Sequence, residues 1–211
     1  MATSPVPRGR HAPPLEVRLE VQKQRLFDAA AAVFSRAGYA EASAEAISRE
    51  AGMSKATFYE HFANKEECIL ALFDYASTVT LDAIVAASRG AGKSFEARHR
   101  AGLAAFLETM QSDPKIAQTV VVEVIGAGPR AIARRDAVLN SFAEVMHQET
   151  VRGAKRDGTP AFRSADEAFA IVGAIFELVS RQLRTGKPER LEDLQPLIER
   201  LILGLLSQSA T

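Results

Sequence analysis

The sequence predicts an all-α protein, and three observations carry that prediction. Helix formers dominate: Ala, Leu, Glu and Arg recur throughout, while β-branched runs are rare. Apolar residues repeat at spacings of three and four rather than two. Gly, Pro, Ser and Asn fall between those stretches and cut the chain into about nine helices. The pattern groups into an N-terminal three-helix unit, a connecting helix and a larger C-terminal helical body.

At 211 residues the chain suits a small domain fused to a larger one, and 47% hydrophobic residues supply a core. Net charge is zero, so a nucleic-acid partner would require positive charge at one face rather than overall. Between Met1 and Arg25 the basic residues are Arg8, Arg10, Arg18, Lys23 and Arg25. Against Glu16 and Glu20 they leave that segment at about +3. The single cysteine, Cys68, excludes an internal disulfide and a multi-cysteine metal cluster; a small apolar role in a helix core is expected of it. No stretch approaches the ~20 apolar residues of a membrane span, and the N-terminus lacks a signal-peptide apolar segment. A cytoplasmic location without a membrane partner is the expectation.

Residues 1–19 read as a flexible basic arm, four prolines lying before Leu15. A first helix, from about Leu15 to Ala37, carries Leu26, Ala29, Ala30, Val33, Phe34 and Ala37 on one stripe, with Gly38 as its left-handed stop. Ser43 N-caps a second helix, Ser54 a third over Lys55 to Phe62, and Asn64 a fourth with Glu66 and Glu67 in its first turn. The fourth helix carries Ile69, Leu72, Phe73, Ala76, Val79 and Ala83 on one face and runs toward the break at Gly90 to Gly92. Beyond it, helices are expected at about 95–112, 115–126, 129–156, 164–185 and 190–207. The domain boundaries are 20–80 for the N-terminal unit and 81–211 for the body.

The second and third helices, joined across Gly52, form a helix-turn-helix, whose second member lies in the DNA major groove. Phe58 and Phe62 are four apart and anchor the third helix inward with Ile47. Lys55 and Thr57 are the candidates for reading base edges. Ser43, Ser54, Tyr59, His61 and Lys65 are candidates for holding phosphates.

Ser54, Lys55, Ala56, Thr57, Phe58, Tyr59, Glu60, His61 and Phe62, followed by Asn64, Lys65 and Glu66, resemble the DNA-binding domain of the tetracycline-repressor (TetR) family. Ala30, Ala31, Val33, Phe34, Gly38 and Tyr39 upstream, and the spacing of Ser43 to Gly52, extend the likeness over roughly 20–80. Ala44 and Glu60 depart from the family pattern, one lacking a polar reach and the other carrying charge that phosphate repels. The resemblance implies a C-terminal domain for ligand binding and dimerisation, double-stranded operator DNA as partner, a homodimer, and an apolar small-molecule effector.

In the body, the eighth helix is apolar nearly all round and the ninth spaces its leucines like a helix-pairing seam. Phe169, Val172, Gly173 and Phe176 of the eighth, with Leu194, Ile198, Leu201 and Leu205 of the ninth, are expected at a two-fold interface. A pocket inside the bundle is expected to be lined by Leu103, Phe106, Leu107, Met110, Val121, Ile125, Phe142, Met146 and Phe176. Glu123, Gln111 and His147 are candidate polar anchors. No cofactor, metal or catalytic residue is expected: His11, His61, His99 and His147 are scattered, without H-E-x-x-H spacing, and no G-x-S-x-G or P-loop occurs. The leading expectation is a ligand-responsive DNA-binding transcriptional regulator, a repressor that binds its operator as a dimer. A DNA-binding protein without an effector is the alternative, and a helical metalloenzyme the remote one.

Overall fold

A computed structural model describes residues 14–92 and 94–208. The greater part of the expected arm, 1–13, lies outside them, as do Lys93 and 209–211. Among the described residues there are nine α-helices and two 3₁₀ turns: α1 Leu15–Glu41, α2 Ala44–Glu50, α3 Lys55–His61, α4 Lys65–Gly90, α5 Phe95–Ser112, α6 Pro114–Val121, α7 Pro129–Asp157, α8 Ala165–Thr185 and α9 Gln195–Gln208. The 3₁₀ turns are Glu123–Ala127, after α6, and Leu191–Leu194, before α9.

Helix α1 starts at Leu15, where the helical reading began, so residues 15–19, grouped with the arm by the domain boundary, are its first turn. Gly38 breaks α1 with φ 78° and ψ 161°, a positive φ as expected, though extended in ψ rather than left-handed helical. Three caps follow the sequence reading. Ser43 accepts from the Ala46 N–H, Ser54 from Thr57 and Asn64 from Glu67, at 3.1, 3.0 and 2.9 Å. Each satisfies an N–H that the first turn of a helix leaves without an internal partner.

Phe58, Phe62 and Ile47 are buried with Leu26, Phe27, Val33 and Phe34 of α1. Phe27 stacks on Phe62 and on Tyr75 of α4, at 5.8 and 5.4 Å between ring centres, locking three helices through one ring. Cys68 is fully buried there, and burial pushes its thiol up to about 12, so it stays protonated as a small apolar group.

Helix α4 belongs to both halves. By length and composition alone it could cross a membrane, with mean hydropathy 1.6, which corrects the expectation that no stretch comes near that size. Its buried residues Ile69, Leu72, Phe73 and Ala76 face the shared core, and it packs most extensively on α5. In the body α7 pairs with α8, while α6 and the turn after it rest on α1. The expected single helix over 115–126 is two elements, because α6 ends at Val121 and the chain tightens into the 3₁₀ turn.

Candidate DNA-reading face and effector cavity

Helix α3 presents the candidate reading face. Its inward side is fixed by Phe58, and Lys55 and Tyr59 remain exposed. Tyr59 meets the Phe58 ring edge-on at 5.5 Å, and the Lys55 ammonium lies 5.9 Å from the Tyr59 ring centre. Thr57 is half-buried, its hydroxyl 2.9 Å from that of the capping Ser54. Ser43 and Ser54 are exposed but hold helix N-termini with their oxygens.

Two expected phosphate contacts are committed to the protein. Lys65 donates to the carbonyls of Tyr39, Ala40 and Ala42 at 2.8, 2.9 and 2.9 Å. It also sits 4.5 Å from the centre of the Tyr39 ring. An ammonium has three N–H bonds, so Lys65 clamps the α1–α2 turn and is not a free cation. His61 shares a hydrogen bond with Gln22 of α1, Nε2 to Oε1 at 3.3 Å, which ties the end of α3 to α1.

Arg25 was missed by the sequence reading, where it counted only as arm charge. Its guanidinium donates to the Ala51 carbonyl at 2.8 Å, beside Gly52, whose φ of 63° makes the turn between α2 and α3. No local pattern marks a partner that far along the chain.

The body holds a cavity of about 120 Å³ between α4, α5, α7, α8 and α9. Of the expected lining, Leu103, Phe106, Phe142, Met146 and Phe176 are there. Leu107, Met110 and Val121 instead belong to the closed core, and Ile125 points outward, 47% exposed. The lining also includes groups that sequence reasoning did not select: Ser88, Arg98, His99, Glu149 and Arg156. Among the expected anchors, Gln111 is exposed and His147 leaves a buried Nδ1 without a hydrogen-bond partner, neither lining the cavity.

Glu123 does a different task. Its carboxylate accepts from the Tyr39 N–H at 3.1 Å and from the Gln118 amide at 3.2 Å, so the turn after α6 grips the α1–α2 turn. Arg134 and Arg130 of α7 reach α4. Arg134 makes a two-pronged pair with Asp74 at 2.6 and 2.8 Å, and Arg130 bonds Glu67 at 2.7 Å.

Residues 26–72 match the family model described as bacterial regulatory proteins, tetR family. The chain carries a TetR-family DNA-binding domain. The solved structures it resembles share the fold over most of its length. The fatty acid degradation regulator FadR from Bacillus halodurans is 20% identical with a TM-score of 0.77, covering 86% of this chain and 94% of that one. FadR from Bacillus subtilis in complex with stearoyl-CoA is 16% identical with a TM-score of 0.72, covering 86% and 98%. A TetR-like transcriptional regulator from Rhodococcus is 24% identical with a TM-score of 0.68, covering 89% and 96%. No curated protein matches the chain.

Around the TetR-type domain the body divides its apolar helices into inner and outer faces. Val172, Phe176, Leu194 and Ile198, expected at an interface between copies, are buried within the single chain. They close the core with Ile202 and Leu206, so a partner cannot reach them. Phe169 and Gly173 of α8 and Leu201 and Leu205 of α9 remain at least partly accessible. The buried stripe runs through Ala168, Ile171, Val172, Ile175, Phe176 and Val179 on α8 and through Ile198, Ile202 and Leu206 on α9, so Phe169, Gly173, Leu201 and Leu205 fall beside it rather than within it.

Proposed function

We propose that the chain is a sequence-specific transcriptional repressor, released from a palindromic operator by a largely apolar small molecule. The observation that carries this is the α3 face, where Lys55 and Tyr59 are left exposed over a fully anchored Phe58. The body supplies an internal cavity, and its walls include α4, the helix that begins next to the reading head. One structure sharing this fold was solved with stearoyl-CoA, which supports an apolar effector.

A dimer is part of the proposal. The outer faces of α8 and α9, with Phe169, Gly173, Leu201 and Leu205, pack on their copies in a four-helix bundle. Two recognition helices then meet half-sites about 34 Å apart. An effector that stabilises a conformation with wrongly spaced heads weakens DNA binding, and DNA weakens effector binding by the same factor.

The test is fluorescence anisotropy of the purified protein with DNA upstream of its own coding region and with a scrambled fragment, at two salt concentrations, alongside its mass in solution. Tight, sequence-dependent binding by a dimer is expected. A monomer that binds both fragments alike would overturn the proposal.

A further inference from the structure

The cavity has two unlike ends. Helices α5 and α7 pass it so that Arg98 pairs with Glu149 at one end, while Phe106 and Phe142 both meet Phe176 at the other, at 5.6 and 6.0 Å. Charge gathers where the pair lies and aromatic carbon gathers opposite. An occupant that satisfies both ends has one polar head and one apolar tail.

The sign of the head follows from the charges around it. Glu149 is held by Arg98 and, at 2.8 Å, by Arg152. Arg156, also in the lining, pairs with Asp157 at 2.7 Å. Glu199, which acts electrostatically on His99, is held by Arg100 at 3.2 Å and by Gln195 at 2.9 Å. Among the charged residues of the lining itself, Arg98 and Arg156 are cationic and Glu149 anionic, so a carboxylate head meets more cationic than anionic side chains.

His99 supplies the remaining polar group. Its ring lines the cavity, stacks on Phe95 at 5.4 Å and makes no hydrogen bond to any described residue. Burial pulls its pKa down to about 4, so at neutral pH it is an uncharged imidazole with one N–H to donate.

We propose that the cavity takes a monocarboxylic acid with an apolar chain, whose carboxylate replaces Glu149 as the partner of Arg98 and accepts from His99. The tail lies against Phe106, Phe142 and Phe176. Glu149 can yield Arg98 because Arg152 still holds it, so no carboxylate is left alone. This rests on the reading of the cavity as the effector site. The exchange loosens a direct tie between α5 and α7, two walls of the cavity, which gives the acid its leverage on the body.

The test is calorimetric titration of the full chain with dodecanoate, dodecanol, dodecyltrimethylammonium and dodecanoyl-CoA. Dodecanoate should bind at least tenfold more tightly than the other three. In Arg98→Gln the preference of acid over alcohol should fall toward one. In Glu149→Gln, where the competing charge is removed, acid binding should tighten several-fold, an effect that a merely structural role would not produce. Leu103→Trp, which fills the cavity, should abolish binding. Equal affinity for acid and alcohol, preference for the cation or the thioester, or acid binding that survives the filled cavity would each overturn the proposal. If none of the four binds, the effector-cavity reading falls with it.

Discussion

Lys65 has three N–H donors, and the carbonyls of Tyr39, Ala40 and Ala42 take all of them. Lys65→Ala strips those carbonyls of their shared donor, so unfolding in urea should show a loss of about 1–3 kcal/mol. Its effect on DNA affinity should follow from that lost stability rather than from a lost phosphate contact. At Lys55 and Tyr59 the expectation differs, since both are exposed. Lys55→Ala should change the ranking of operator variants in anisotropy titrations, whereas Tyr59→Phe should weaken all of them alike. His99 makes stability depend on pH. Its pKa is near 6.5 when unfolded and about 4 when folded, so the unfolded chain binds more protons between those values. Stability is therefore full above pH 6.5 and falls as pH drops through that window, by up to about 2 kcal/mol at pH 5. Urea midpoints at pH 7 and pH 5 should show the drop, and His99→Phe should reduce it.

Between elements, the turn after α6 rests against the turn after α1. Three successive β-branched residues, Val120, Val121 and Val122, weaken the end of α6. The Thr119 hydroxyl meets the Ala31 carbonyl at 3.4 Å, and Glu123 caps the Tyr39 N–H. Gly38 is needed there for its backbone: its φ of 78° is strained for any other residue, whereas a Cβ would make only ordinary contact with the Glu123 carboxylate, at 3.5 Å. Glu123→Ala removes the acceptor for Tyr39 and should lower stability by about 1–2 kcal/mol in denaturant titrations. It should also shrink the proposed effector-induced fall in DNA affinity, because one of the ties from body to head is lost. An unchanged effector response would exclude this contact as a coupling route. The exposed pairs Arg130–Glu67 and Arg134–Asp74 contribute less, because solvent screens them.

For the whole molecule, the proposed dimer can be separated from the fold itself. A Cβ at Gly173 would meet nothing within 4 Å in the single chain, and Arg is a better helix former than Gly. Gly173→Arg should therefore leave the thermal stability of the single chain intact and block close packing of α8 on its copy. Light scattering should show a monomer, and operator binding should fall at least tenfold because two half-sites are no longer engaged together. A variant that stays dimeric would move the interface elsewhere.

Local patterns in the sequence settled the elements and the head. The caps Ser43, Ser54 and Asn64 act within three residues of themselves, and Phe58 and Phe62 share a face by spacing alone. Those are interactions that neighbours along the chain decide. The fates of Lys65, His61 and Arg25 lay with partners distant in sequence, Tyr39, Gln22 and Ala51, which no periodicity marks. Likewise, apolar spacing showed that α8 and α9 carry buried faces, but not whether Val172, Phe176 and Ile198 would meet their own chain or a copy. Only tertiary packing decided that, along with which of Phe106, Leu107 and Met110 borders empty space, because a cavity belongs to several helices at once and to none of them alone.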